Sequence, residues 1–344
     1  MSTLTLHRVD GIVTVQDMGR PGHLAQGLSR GGAADRLALM EAIRRKCKRA
    51  VTDSGGAIRF SEDKPGVSNL MSILSALTGA PMAATLDGVP LRWNATHRIE
   101  PGARLRIAGA EAGVYGYLVP AGGLATPDWL GSRAAHLAIG IGAPLAAGAL
   151  LAVTPDPAPE TEARVIAALP RFQGGTARLM DGPQTGLFDA ETLDAFCATA
   201  FRRGARGNRQ GVQLSAGARF VSAEAAGLAS DLIGPGDVQS TGDGVPYVLL
   251  AECQTVGGYP RLGTVVAEDL PLIAQAAPGA VLRFRRVGAE EAVRACRDEM
   301  VLLREAAARC SSLIRDPALI PDLLSYQLIG GVTRGDDLEQ DDAR

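Results

Sequence analysis

Lysine is nearly missing. Only Lys46, Lys48 and Lys64 stand among 35 basic side chains, so the other 32 are arginines. Basic and acidic groups almost balance, 35 against 37, which removes the electrostatic footprint expected of a partner of nucleic acid or an anionic membrane. No apolar run approaches the roughly 20 residues of a membrane-spanning helix. Met1 leads into Thr3-Leu4-Thr5-Leu6 without the basic region, apolar run and small-residue cleavage site of a secretory signal. A folded cytoplasmic protein is expected. The five cysteines, Cys47, Cys197, Cys253, Cys296 and Cys310, form an odd set without CxxC spacing, which argues against a disulfide framework or a zinc site and reads as buried thiols. HExxH, paired His/Cys clusters and EF-hand loops are missing, so no metal is indicated. No GxxxxGK[ST] occurs, and Gly140-Ile141-Gly142 lacks the rest of a GxGxxG; the chain has no recognisable phosphate loop of its own.

Glycine (42) and proline (20) are abundant and dispersed. Short β-prone runs lie between these turn signals: Leu4 to Leu6, Ile12 to Val15, Ala103 to Ile107, Tyr115 to Val119, Val245 to Ala251 and Ala280 to Arg285. That pattern predicts a mainly β fold, barrel or sandwich, rather than a doubly wound sheet. The 344 residues suffice for two domains. Thr154-Pro155-Asp156-Pro157-Ala158-Pro159-Glu160 reads as a stiff extended linker, dividing a first unit (1–153) from a second (164–335) through a linker (154–163), with an acidic tail (336–344). A faint repeat pairs Asp87-Gly88-Val89-Pro90 with Asp243-Gly244-Val245-Pro246, each followed by a Pro-Gly turn, at Pro101-Gly102 and Pro278-Gly279. Helices are expected over Ala33–Ala42, over Asp189–Phe201 with Asp189 as N-cap, and over Ala289–Ile314, where Val293, Cys296, Met300, Leu303, Ala307, Cys310 and Ile314 form a stripe to pack on the second unit.

Residues 42–76 do not match their surroundings. They hold every lysine and show weak periodicity of any kind. Two explanations compete, a basic surface insertion and a reading-frame slip in an arginine-preferring gene corrected near Leu77, and composition favours the slip.

Gly27-Leu28-Ser29-Arg30-Gly31 fits the GxSxG nucleophile elbow, but the preceding Gly22-His23-Leu24-Ala25-Gln26 is not the apolar strand an elbow needs. Polar residues set among glycines carry more information. Gln16-Asp17-Met18-Gly19-Arg20-Pro21-Gly22 places an amide, a carboxylate and a guanidinium after one strand, and Gln254-Thr255-Val256-Gly257-Gly258-Tyr259-Pro260-Arg261 repeats that chemistry after another. A guanidinium grips a carboxylate through two hydrogen bonds, and an amide matches the donor and acceptor of a lactam or urea. Equally, Asp17 and Arg20 could simply staple a turn.

These stretches carry a resemblance. Thr14 to Gly22, Gly32-Ala33-Ala34-Asp35-Arg36-Leu37-Ala38-Leu39, Leu77-Thr78-Gly79-Ala80, Ala121-Gly122-Gly123-Leu124, Leu130-Gly131-Ser132-Arg133, Gly182-Pro183-Gln184, Gln254 to Arg261 and Leu323 to Leu328 resemble, in order, the family of biotin-dependent carboxyltransferases and 5-oxoprolinase C subunits, also known as allophanate hydrolase subunit 2 or KipI-antagonist-like. The resemblance implies two cyclophilin-like β-barrel units plus a C-terminal helix, and a site shared with a B-type partner of related fold. It also implies a third 5-oxoprolinase subunit and ATP-dependent opening of 5-oxoproline to L-glutamate. The alternatives it leaves are a carboxyltransferase subunit served by biotin on a carrier protein, and a non-enzymatic antagonist of a kinase inhibitor. Asp17, Arg20 and Arg261 become the expected catalytic residues, with Gln16, Gln239, Gln254, Gly257, Gly258 and Tyr259 expected to bind substrate. The chain departs from the family pattern at Ser29, usually proline, at Arg261, usually lysine, and at Asn208-Arg209-Gln210-Gly211, where Asp-Arg-Met-Gly is common.

Overall fold

The computed structural model describes residues 2–42, 73–156, 162–225 and 227–314; most of the lysine-bearing stretch and the acidic tail lie outside them. Among the described residues the fold is mainly β, with five α-helices, none long and apolar enough to cross a membrane.

The second unit is a closed seven-stranded barrel, in spatial order Gly174–Met180, Arg261–Val265, Asp237–Ser240, Pro246–Leu249, Gly211–Ser215, Phe201–Gly207 and Val281–Val287. Only the closing pair, Gly174–Met180 with Val281–Val287, is parallel. Aromatic residues make up 4% of the chain, yet Phe196, Phe201, Phe220 and Phe284 pack together here, with ring centroids 4.8–5.8 Å apart. Few aromatics can fill a barrel when they gather in one place. The second helix in chain order, α2 (Ala190–Ala198), supplies Leu193 and Phe196 to this core, and the expected cap is present, since Asp189 accepts from the Thr192 amide at 2.6 Å. The helix is shorter than expected because Phe201 already opens a strand.

The first unit wraps three smaller sheets around one core that includes Leu4, Val13, Leu77, Leu105, Leu118 and Leu151. Ile12–Val15 is not a strand; the Val13 and Val15 carbonyls accept from the Leu145 and Ala135 amides instead. Both repeat turns are hairpins. Asp87 and Gly88, at φ 51° and 88°, join two strands directly, whereas Gly244 alone takes positive φ in the second copy, so the shared motif makes two different turns. Arg164–Ile166 and Cys310–Ser312, assigned from sequence to the second unit, hydrogen-bond into the five-stranded sheet of the first. Ile73–Gly79 lies in that sheet with regular antiparallel register from Ile73, so ordinary pairing is in place before Leu77.

Helix α1 (Arg36–Ala42) joins the units. Asp35 caps it by accepting from the Ala38 amide at 3.0 Å. The other oxygen of the same carboxylate accepts from Arg171 Nε at 2.7 Å and from Gln275 Nε2 at 2.8 Å, both in the second unit. Arg171 also grips Glu41, and Gln275 Oε1 accepts from the Val114 and Tyr115 amides. The neighbouring Tyr117 hydroxyl is pushed well above its ordinary pKa, first by burial and then by Asp35.

The expected single helix over Ala289–Ile314 is instead α4 (Ala289–Ala295) and α5 (Glu299–Ala308), followed by a strand, with α3 (Leu270–Gln275) preceding them. Asp298 breaks it by capping α5, accepting from the Val301 amide at 2.8 Å. The interruption resets the helical phase, so Val293 and Met300 of the expected stripe are exposed while Ala292 and Ala306 are buried. Helix α5 reaches the first unit through Glu299, which pairs with Arg30 and Arg36. The cysteines also differ from expectation: Cys253 is buried, Cys197 and Cys310 are half-buried, and Cys296 is exposed.

Candidate functional site

The first glycine-rich turn is held by glycines that no other residue can replace. Gly19 and Gly32 both have φ 79°, and a Cβ on Gly32 would sit 2.5 Å from Gly19 N. This interlock turns Asp17 inward, where Oδ1 accepts from the Gly19 amide at 2.7 Å and the Ser132 hydroxyl at 2.6 Å, and Oδ2 from the Arg133 amide at 2.7 Å. Arg20 is 1% exposed. It donates through Nη2 to the Ala134 carbonyl at 2.5 Å and through Nε to the Trp129 carbonyl at 3.3 Å, while Nη1 has no partner. Burial lowers its pKa against the nearby carboxylates. Asp17 and Arg20 thus fix the 129–134 loop from within.

Gln16 reaches across the unit boundary, accepting through Oε1 from Arg209 Nη2 at 3.0 Å. Arg209 also donates to the Gly32 carbonyl and pairs with Glu252 at 2.7 Å; Glu252 in turn accepts from the Leu137 amide. Burial of the Arg209 guanidinium lowers its pKa, partly offset by Glu252. Neither Arg209 nor Glu252 was singled out by sequence as a site residue; the only signal was that Arg209 stands within Asn208-Arg209-Gln210-Gly211, where the family pattern Asp-Arg-Met-Gly keeps the arginine.

Ser29 and His136 meet, with Oγ to Nε2 at 2.8 Å, and both are buried. Burial lowers the His136 pKa, leaving the ring neutral at pH 7. The elbow geometry is missing, because Ser29 follows a 3₁₀ turn (Leu24–Gln26) closed by Gly27 at φ 83°. Glu252 is engaged by Arg209 and Leu137 and does not complete a triad.

The second glycine-rich turn gathers most of its expected residues at one end of the barrel. Arg261, 5% exposed, uses every nitrogen: Nε to Gln184 Oε1 at 3.2 Å, Nη1 to the Leu232 carbonyl at 2.9 Å and to Asp237 at 3.3 Å, and Nη2 to Asp231. Asp237 is buried and is fixed further by Thr264 and the Gly234 amide, whereas the Asp231 side chain is 49% exposed. Gln239 lies on the adjoining strand, buried, with Nε2 unpartnered. A Cβ on Gly257 would come within 2.9 Å of that nitrogen, so the glycine keeps the approach to the amide clear. Tyr259 and Gly258 are exposed beside it, and Gln254 is exposed on the segment leading in. The chain around this turn is tied on both sides: the Ala251 carbonyl accepts from the Gly31 amide, and the Thr255 carbonyl from the Ile233 amide. The second cluster therefore combines a buried free amide donor, a guanidinium whose outermost partner is an exposed carboxylate, and an exposed phenol. That set suits a small ligand with a carbonyl and a carboxylate. Gln184, Asp231 and Asp237 were not foreseen as members.

The model of the family described as "Carboxyltransferase domain, subdomain A and B" matches residues 26–286. The chain is similar to the C subunit of 5-oxoprolinase from Escherichia coli K12, 30% identical over 311 residues that cover 89% of this chain and 98% of the relative. The corresponding Haemophilus influenzae protein is 27% identical, with 84% and 93% covered. Among solved structures, TTHA0988 aligns with TM-score 0.70 and 29% identity over 83% of this chain, which spans about half of that longer chain (55%). The Kluyveromyces lactis urea carboxylase aligns with TM-score 0.74 over 92% of this chain and 31% of its own length, and at 18% identity this is a likeness of fold. A match of another kind is short and close: 54% identity over 39 residues, 11% of this chain, with tryptophan–tRNA ligase of Clostridium acetobutylicum.

Proposed function

The chain belongs to the carboxyltransferase domain, subdomain A and B, family, and on that premise we propose that it is the C subunit of an ATP-dependent 5-oxoprolinase that opens 5-oxoproline to L-glutamate in the cytoplasm. The observation carrying this reading is the match along 98% of a 5-oxoprolinase C subunit, joined to a barrel-end cluster suited to a lactam acid. A lactam is a poor electrophile; ATP, bound by the complex, would supply the phosphoryl group that activates its oxygen. The chain's own residues orient the substrate. Gln239 Nε2 donates to the lactam oxygen, and the substrate carboxylate takes the place of Asp231 on Arg261 Nη2, moving that exposed side chain into water. Tyr259 covers the ring, Gly257 and Gly258 let it approach, and Gln254 lies on the entry side. Gln16, Asp17 and Arg20 hold the surface that meets the B-type partner of related fold, and the enzyme is completed by a third subunit.

The test is reconstitution with those two partners and measurement of ATP-dependent glutamate release. The chain alone is expected to turn over neither ATP nor 5-oxoproline; turnover by the isolated chain would refute the composite site. A second reading, a carboxyltransferase acting on a urea-like amide with carboxybiotin as donor, is supported by the fold likeness to urea carboxylase. It predicts dependence on a biotin carrier protein, which the first reading does not.

A further inference from the structure

A cavity of about 130 Å³ lies between α1, α3 and α5, and neither Arg261 nor any of its side-chain partners lines it. Leu37 and Met40 of α1, Leu250 and Leu270 of the second unit, and Leu302 of α5 form its apolar lining, and Arg30, Arg36, Arg297, Glu268 and Glu299 its charged groups. A water needs about 10–15 Å³ of such space, so the cavity accommodates a ligand of on the order of ten heavy atoms.

The charged groups are unevenly matched. Arg30 Nη2 and Arg36 Nη2 converge on a single oxygen, Glu299 Oε1, at 3.0 and 2.5 Å. Arg297 is taken by Glu305. Arg36 Nε is buried without a hydrogen-bond acceptor, and burial followed by the like charge of Arg30 lowers the Arg36 pKa. Two guanidinium groups therefore share one carboxylate oxygen, and one donor is unused. Glu268, near enough to act on the charge of Arg36, accepts through Oε1 from the Arg297 amide at 2.8 Å. Its Oε2 is buried without a hydrogen-bond partner, and the Glu268 carboxylate, after burial, raises the pKa of the Cys296 thiol. A ligand carboxylate would supply what Arg36 lacks, and a ligand N–H would supply what Glu268 Oε2 lacks, with the short aliphatic body lying on leucine and methionine.

We propose that this cavity is a binding site for a small carboxylic acid bearing an N–H donor, an amino acid or lactam acid, held by Arg36 and Arg30 at its carboxylate and by Glu268 at its nitrogen. The site is independent of the enzymatic reading, since it belongs to this chain alone and needs neither ATP nor a partner. Isothermal titration of the purified full chain with L-glutamate and with 5-oxoproline should show a binding event that is weakened about tenfold to a hundredfold in Arg36→Gln and persists in Arg261→Gln. 2-Pyrrolidinone, which has the N–H but no carboxylate, should bind the wild type more weakly and be indifferent to Arg36→Gln. Glu268→Gln, on a different element, serves as the second variant, and thermal melts establish that both variants fold. Wild-type protein that binds none of the probes, or Arg36→Gln and Glu268→Gln that both bind like wild type, would overturn the proposal. So would binding lost in Arg261→Gln and kept in Arg36→Gln, which moves the ligand to the barrel end. An inactive reconstituted complex would leave this titration unchanged, so the two ideas fail separately.

Discussion

Replacing Arg171 by methionine removes the cation that closes the two halves of the molecule on each other. Its side chain is 2% exposed, and those of its partners Asp35 and Glu41 are 0% and 1% exposed. Three charge-assisted bonds of 2.7–3.1 Å would vanish, and two carboxylates would remain in a dry interior, with Asp35 still bound by Gln275 and Ala38 but uncompensated in charge. Burial acts against the Arg171 cation, but the two carboxylates outweigh it and raise its pKa, so the ion pair holds across the working pH range. Breaking a buried ion pair from one side costs about 3–5 kcal/mol, about a fifth or more of the roughly 5–15 kcal/mol that a domain possesses. At about 2–4 °C per kcal/mol, the melting temperature should fall by roughly 6–20 °C. The assay can also say where the loss falls. Both tryptophans, Trp93 and Trp129, belong to the first unit, so fluorescence reports on that unit while far-ultraviolet circular dichroism reports on both. In urea the wild-type transitions should coincide, and in Arg171→Met the fluorescence transition should separate from the dichroism transition. Arg171→Lys, which keeps the charge and loses the planar fork, should fall between. A loss below about 1 kcal/mol with coincident transitions would refute the idea that this arginine couples the units, since that is what a solvated pair yields.

Gly32→Ala should cost at least about 2 kcal/mol, because the left-handed backbone alone costs roughly 1–2 kcal/mol for an L-residue and the added carbon would strike Gly19; urea unfolding measures it, and a neutral effect would mean the loop yields. His136 sets a pH dependence. Its folded pKa lies below the unfolded value of about 6.5, so its contribution is fully present above that pH and is lost as pH falls toward the folded value, the unfolded chain taking the proton first. Stability measured from about pH 7.5 to about pH 5.5 should therefore decline in wild type and decline less in His136→Gln, with part of the slope left to His97, which burial also shifts downward; equal slopes would count against this. Arg261→Ala should lower activity of the assembled enzyme and also destabilise this chain by about 1.5–3 kcal/mol, because Asp237 loses its cation; a variant with wild-type stability and no activity would show that the guanidinium serves the ligand alone.

Much of the fold was legible in the sequence for local reasons. Alternating β-prone runs and Gly/Pro punctuation specify strands and turns through backbone sterics, so the β class, the Asp189 cap and the Asp87-Gly88 hairpin follow from residue type and spacing. Ordered motifs over most of the length gave the family, the second glycine-rich turn singled out Gly257, Tyr259 and Arg261, and the resemblance added Gln239 on the adjoining strand. What spacing cannot contain is which distant residue completes each charge. Arg209 pairs with Glu252 and reaches Gln16 across 193 positions, Arg171 binds Asp35 across 136, and Asp231 and Asp237 occupy the guanidinium that sequence had assigned to a ligand. Helix phase is similar: the Val293–Met300 stripe is periodic, but one capping aspartate, Asp298, turned it to solvent. Sequence determines which side chains are available to a turn, because that depends on neighbours in the chain. Only the tertiary structure decides whether their charges face a ligand or one another, because in a dry interior every ion must find its partner wherever the fold has brought one.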